Sequence, residues 1–596
     1  MSVLDRIERL RNVMEQQKID CYIIPTDDYH HSEYVGDYFK FREYITGFTG
    51  SAGTAVFTKD KAGLWTDGRY FIQAEAQLKG SGITLYKSGE SDVPTIEEFL
   101  KSELKEGDVL GFDGRTVTYA QGKRYCHITD ENGASLKYSL DFAQNIWKER
   151  PEMSMESVFS LADEYTGEKI GSKLERIREI MKENGCNAHV LSSLDDIAWL
   201  LNIRGNDIAY CPLVLSYAIV YNNSVELFAD IRKFSDDIIN LLAENQVKIY
   251  PYEDIYRKVS EMTSEDKLLL DSAIMNYSLY QAISKETVIV DKQNPEILMK
   301  SVKNETQAEN LRKAHLKDAV AHTKFMYWLK KNIGRVEITE LSASARLEGL
   351  RAEQEHFLGP SFGPISAYGE HGAIVHYSAD EKSNVPLKEG KLFMTDTGGH
   401  YLEGSTDITR TVALGEVGNI EKEHFTLVAR AMLRLANTVF LYGCSGANLD
   451  CIAREVFWKE GLNFNHGTGH GVGYLLNIHE GPINFRWKEG ERPAPALEEN
   501  MVITDEPGIY IEGSHGIRLE NELLVRKTVK NEYGQFMNFE ILTYVPIDLD
   551  AILPEKMSTE EKEMLNHYHK QVYEKVSPYL SEEERIWLKE YTRAVK

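Results

Sequence analysis

The sequence predicts a multidomain protein of mixed α/β and α+β class: two similar α/β domains in tandem, a third unit of alternating helices and strands, and a short helical tail. Three observations carry this expectation. The first 200 residues hold a weak internal repeat. From Lys303 to about residue 545, helical periodicity alternates with Gly-rich, strand-like stretches. Beyond that point, two Ser-x-x-Glu motifs announce further helices. The chain's 596 residues suit three or four domains, at about 150 residues per domain.

The repeat begins with Leu4-Asp5-Arg6-Ile7, echoed by Leu174-Glu175-Arg176-Ile177, each opening an amphipathic helix. A short apolar strand follows each helix, Cys21-Tyr22-Ile23-Ile24 and Ala188-His189-Val190-Leu191, and then an Asp pair, Asp27-Asp28 and Asp195-Asp196. The offset drifts from 170 to 168 between the copies, so two like domains are expected at 1–160 and 161–302. The third unit, 303–545, opens with a helix that Asn304 or Thr306 can cap and that carries Ala308, Leu311, Ala314 and Leu316. In the tail, 546–596, Ser558 with Glu561 and Ser581 with Glu584 form capping boxes on either side of Pro578.

Composition narrows the classes of function. Hydrophobic residues make up 42% and charged residues 27%, as in soluble globular proteins. No apolar run approaches a membrane span, and the charged N-terminus does not read as a signal peptide. Six scattered cysteines form no CxxC pair, which makes a reducing, cytoplasmic location the default. A net charge of −25 argues against nucleic acid or an anionic membrane as partner, since both need a basic footprint.

No HExxH, GxSxG or Walker A motif is present, and Gly467, Gly469, Gly471 and Gly473 have the wrong spacing for a dinucleotide fingerprint. Two acidic hairpins stand out instead. The apolar strand Lys391–Asp396 ends in a carboxylate, and its return strand, Asp407–Val412, begins with one. Closure between residues 401 and 402 would oppose Asp396 to Asp407. The second hairpin, centred on Gly513, would oppose Glu506 to Glu520. Like charges so placed repel and need a cation. Between the hairpins lie His466, His470 and His479, within fourteen residues. One histidine and four carboxylates make a hard, oxygen-rich set that suits two divalent ions, with Mn²⁺ favoured and Co²⁺ or Zn²⁺ as alternatives.

The order Asp396, Asp407, His470, Glu506, Glu520 resembles the pita-bread metallopeptidases, a family that includes methionine aminopeptidase, prolidase, creatinase and Xaa-Pro aminopeptidase. The long, three-domain cytosolic Xaa-Pro aminopeptidases (aminopeptidase P) are the branch it resembles most. The stretches that carry this are Ile45–Gly53, Trp65–Tyr70, Gly372–Tyr377, His466–Gly473 and Thr504–Gly508, and the likeness spans essentially the whole chain. Asp396-Thr397-Gly398 stands where Asp-Ser-Gly is usual, which keeps the ligand and a hydroxyl.

The resemblance implies two creatinase-N-like domains, a pita-bread catalytic domain and a helical extension. It also implies roles. Asp396 would bind one metal, Asp407 and Glu520 would bridge, and His470 and Glu506 would bind the other. His376 and His479 would be outer histidines near the scissile bond, His466 would shape a proline pocket, and Arg518 would contact substrate. The implied reaction is hydrolysis before a proline at position two by a metal-activated bridging hydroxide, with Glu506 shuttling the proton. Rival readings are a prolidase acting on dipeptides and a peptide-binding pseudo-enzyme. Trp458 lies off the inward face that Ile452, Ala453, Val456 and Phe457 would form on its helix, which suits either an interface anchor or a side chain packed under the C-terminal helices; the resemblance implies the first, a homodimer formed through the catalytic unit.

Overall fold

In the computed structural model, which describes residues 1–488, 490 and 493–596, the chain divides into two units. One comprises 1–161 and 168–297, the other 162–167 and 298–596.

The first unit contains two six-stranded sheets, and their topologies coincide. From edge to edge the first runs Thr84–Lys87, Ala62–Thr66, Thr54–Thr58, Cys21–Pro25, Val109–Phe112, Ser135–Lys137. The second runs Val247–Tyr250, Val225–Phe228, Tyr217–Tyr221, Ala188–Leu191, Lys267–Leu270, Val288–Asp291. Successive pairings are parallel, antiparallel, antiparallel, parallel and parallel in both. The repeated helices are Val3–Gln17, capped by Ser2, and Ile170–Glu183. The repeated strands sit at matching inner positions. Every residue from Cys21 to Ile24 and from Ala188 to Leu191 is buried, as expected of strands covered on both faces. The echo ends at the Asp pairs. Asp195 and Asp196 enter the helix Leu194–Leu200, whereas Asp28 accepts backbone N–H bonds from His30 and Ser32 in a turn.

The second unit twice repeats a pair of helices followed by antiparallel strands. The helices Glu305–Asn332 and Glu340–Ala352 precede the hairpin Lys391–Thr397/Ile408–Leu414; Asn419–Ala436 and Gly446–Trp458 precede the strands from Gly469 to Ile541. Asn304 caps the first helix in a capping box with Gln307. That helix buries Ala308, Leu311 and Ala314, and also His315 and Asp318. Both tail helices form, Thr559–Val576 and Glu582–Tyr591, each opened by its Ser-Glu capping box. Their Leu565, Val572, Val576 and Leu588 join the same hydrophobic core as the hairpin residues Phe393 and Val412.

On Gly446–Trp458, Ala453, Val456 and Phe457 are buried and Ile452 packs against the core. Trp458 is 42% exposed and meets Trp487 edge to face at 5.9 Å. Among the described residues no helix is long and apolar enough to cross a membrane.

Candidate metal centre

The second hairpin has the expected register. Gly508 pairs with Arg518 and Asp505 with Asn521, so Glu506 and Glu520 lie opposite each other between those rungs. The first hairpin differs. Asp396 pairs with Thr409, not Asp407, because the chain turns at Leu402–Glu403 rather than one residue earlier. The displaced turn follows from Gly399–Tyr401, which pairs with Phe357–Pro360 in a separate sheet. Moving the turn by one residue moves each partner by two, which keeps every side chain on its face. Asp407 therefore still faces the same side as Thr409. A close crossing draws it toward Asp396: a Cβ on Gly398 would lie 1.8 Å from the Thr406 carbonyl oxygen.

Oxygens of Asp396, Asp407 and Glu520 come within 4.8 Å of one another. His470, Glu506 and Glu520 form a second such group, and Asp407, His470 and His479 a third. Glu520, Asp407 and His470 thus each belong to two of the three groups. The imidazoles of His470 and His479 meet edge to face at 4.3 Å. His470 Nδ1 lies 2.9 Å from the Gly471 carbonyl, which can only accept, so Nδ1 carries the proton. Nε2 then presents its lone pair, 3.6 Å from both Asp407 Oδ2 and Glu506 Oε1. Imidazole in this tautomer is a metal ligand.

The electrostatics of these residues suit divalent cations. Asp407 and Glu520 are almost fully buried, and Asp396 Oδ1 is buried with no hydrogen-bond partner. Burial, then the neighbouring carboxylates, push the carboxyl groups of Asp407 and Glu520 well above their usual range. Glu520 keeps one supporting donor, Thr409 Oγ1 at 2.8 Å.

The other expected residues sit around this cluster. Arg518 pairs with Asp396 and donates to the Tyr510 hydroxyl at 2.8 Å. His466 Nδ1 donates to the Gly467 carbonyl at 2.7 Å, so its Nε2 accepts from Tyr510, at 2.8 Å. Burial, then the charge of Arg518, hold His466 down to about 3, so it is neutral. His376 is half-buried and belongs to none of the three groups. The carbonyl of its neighbour Val375 accepts from Arg518 at 3.4 Å.

Several supporting residues escape sequence reasoning. Glu522 accepts the Asp407 N–H at 2.7 Å and meets His315 Nε2 at 3.1 Å. Asp318 binds Thr406, next to Asp407, and pairs at 2.6 Å with Arg351, whose Nη2 reaches the carbonyl of Thr397, next to Asp396. Glu340 accepts from His371 and from the Tyr377 hydroxyl, at 2.8 and 2.9 Å, and so secures the segment that carries His376. The one available signal was a polar residue recurring at helical spacing, His315 and Asp318, within an otherwise apolar stripe.

Comparison with known proteins agrees with this architecture. Residues 6–136 and 149–307 each match the creatinase/prolidase N-terminal domain. Residues 309–527 match metallopeptidase family M24, and 535–595 the C-terminal region of that family. These matches bear out two tandem creatinase-N-like domains followed by a pita-bread domain with a C-terminal extension. Xaa-Pro aminopeptidase 1 of Dictyostelium discoideum is 36% identical over 97% of this chain and 94% of its own. Aminopeptidase P1 of Arabidopsis thaliana is 34% identical over 99% of each. The crystal structure of X-prolyl aminopeptidase from Caenorhabditis elegans, described as a cytosolic enzyme with a di-nuclear active site, superposes with a TM-score of 0.95 over the full length of both chains, at 33% identity.

Proposed function

The chain belongs to the Xaa-Pro aminopeptidase family of M24 metallopeptidases, and on that premise we propose that it removes the N-terminal residue from peptides whose second residue is proline, using two divalent ions held by Asp396, Asp407, His470, Glu506 and Glu520. One observation carries this reading: the two ligand-distance groups Asp396-Asp407-Glu520 and His470-Glu506-Glu520 share Glu520. A shared carboxylate between two clusters is what a pair of adjacent cations requires.

Such ions supply Lewis acidity and bring the pKa of water toward neutrality. The chain's own residues do the rest. Glu506, half-buried at the edge of the cluster, takes and returns the proton of the attacking water at its carboxylate. His479, beside His470, and His376 donate to the developing oxyanion and the leaving nitrogen. The leaving amide nitrogen is proline's and has no hydrogen, so recognition falls on the ring. The relay from Arg518 through Tyr510 to neutral His466 fixes a rigid wall for it.

Mn²⁺ is the ion the donor set favours. The resident form is a cytoplasmic homodimer, for which the exposed Trp458 on the catalytic unit is the supporting feature. The working division of the chain is 1–160, 161–302, 303–545 and 546–596. The test is cleavage of Arg-Pro-Pro and of a Xaa-Pro dipeptide, with chelator and with Mn²⁺. Release of arginine from the tripeptide, restored by Mn²⁺, is expected. Full activity in chelator, or turnover of the dipeptide alone, would refute the reading.

A further inference from the structure

Arg410 lies within the return strand of the first acidic hairpin, Ile408–Leu414, and its side chain is fully buried. A buried guanidinium ordinarily has a carboxylate partner, because an unpaired charge in the interior is costly. Arg410 instead spends its donors on neutral acceptors. Nη1 donates to the carbonyls of Thr409 and Glu520, at 2.8 and 2.5 Å. Nη2 reaches Asn521 Oδ1 at 2.8 Å, the Val545 carbonyl at 2.8 Å and the Tyr568 hydroxyl at 2.7 Å, while Nε donates to Val545 at 3.3 Å. All five N–H groups are thereby engaged.

These acceptors come from three separate parts of the chain. Glu520 and Asn521 belong to the second acidic hairpin, Val545 to the segment that follows the sheet, and Tyr568 to the tail helix Thr559–Val576. The Thr409 carbonyl accepts both Arg410 Nη1 and the Glu520 backbone N–H, while Thr409 Oγ1 bonds the Glu520 carboxylate. The backbone of Glu520 is therefore held on both sides by the strand that carries Arg410. The tail helix holds Arg410 in turn. Tyr568 is 1% exposed, and its hydroxyl accepts from Arg410 and donates to Val545 at 2.6 Å. The next residue, His569, accepts the Ile547 N–H at 3.1 Å, so two adjacent tail side chains tie down the same segment.

We infer that the C-terminal extension is a working part of the metal centre: Tyr568, acting through Arg410, is a positioning residue that sets the backbone of Glu520, the carboxylate shared by both ligand groups. This rests on the metal-centre reading above. Tyr568→Phe removes one hydroxyl and leaves the ring packing in place. Chelator competition should report about tenfold weaker Mn²⁺ binding, the usual cost of losing a group behind a metal ligand. At saturating Mn²⁺, KM should be unchanged. Arg410→Lys keeps the charge but cannot span Glu520 and Tyr568, so it should show the same loss; it also serves if Tyr568→Phe does not fold. The control is Leu588→Ala, in the other tail helix and fully buried. It should lower the urea midpoint at least as far while leaving Mn²⁺ affinity intact. Wild-type affinity in Tyr568→Phe, or an equal loss in Leu588→Ala, would overturn the inference. A wild-type protein that takes up no divalent ion would overturn the metal-centre reading itself, and this inference with it.

Discussion

Asp407→Asn separates the metal centre from an ordinary buried acidic cluster. Asp407 is within 4.8 Å of ligand oxygens on both Asp396 and Glu520. At 4.8 Å, the widest separation the cluster allows, and an effective dielectric of about 20, two unit charges repel by about 3.5 kcal/mol, so two charged neighbours cost at least about 7 kcal/mol. Burial and these neighbours raise the Asp407 carboxyl, so the metal-free wild type sheds part of this repulsion by retaining a proton and keeps the rest as strain. The asparagine is nearly isosteric, carries no charge and can donate to an adjacent carboxylate. In chelator the variant should therefore be more stable than wild type, by about 1 kcal/mol or more, the usual scale of a single substitution. With Mn²⁺ the order should reverse. Two sites at a hundredfold excess over Kd stabilise by about 2.7 kcal/mol each, and a protein lacking one ligand forfeits most of that. Urea midpoints in chelator and in Mn²⁺ give all four numbers. If Asp407→Asn is less stable than wild type in chelator, the acids are not electrostatically strained and the case for a cation site fails.

Further outcomes follow from the same structure. His479→Ala should retain both metals while kcat falls by about 10²–10⁴, the worth of one general acid or oxyanion donor; loss of metal in elemental analysis would make His479 a ligand, since it groups with Asp407 and His470. His569 is fully buried, and burial followed by the charge of Arg410 lowers it from 6.5 to about 3. The unfolded chain binds that proton first, so its contribution is complete above about 6.5 and is lost as pH falls toward 3, reaching about 2 kcal/mol by pH 5. His569→Gln, which can still accept the Ile547 N–H, should flatten that part of the urea-midpoint profile; an unchanged slope would count against it. Trp458→Glu should shift light-scattering mass from dimer to monomer without unfolding, and a monomeric wild type at micromolar concentration would remove the dimer outright.

What could be read in advance was whatever depends on short spans of chain. The capping boxes at Ser558 and Ser581 formed as their spacing required, because both partners lie within one turn. The second hairpin kept its register because a single tight turn at Gly513 sets it. The first hairpin slipped by two residues because Gly399–Tyr401 answers to Phe357–Pro360, a pairing that local pattern does not contain. The repeat in the first unit was visible in only two elements per copy, yet all six strands of each sheet follow it. Conserved topology survives where side-chain identity has drifted, since burial on both faces asks only for apolar residues.

Glu520 and Glu522 show where such reading stops. They are two residues apart on one extended chain, so both point to the same side, and both are fully or almost fully buried. Strand alternation alone does not separate them, although the hairpin register opposes Glu520 to Glu506. Their partners decide between them. One oxygen of Glu522 accepts the backbone N–H of Asp407, and the other lies 3.1 Å from His315 Nε2, on the helix Glu305–Asn332, without a hydrogen bond between them. Glu520 has Thr409 Oγ1 on one oxygen and shares its site with three other carboxylates. A carboxylate beside a backbone N–H and an imidazole has fewer like charges to offset than one surrounded by carboxylates. Part of that difference is His315, supplied by a helix far upstream, and this long-range neighbour is what favours Glu520 over Glu522 as the ligand of the proposed metal site.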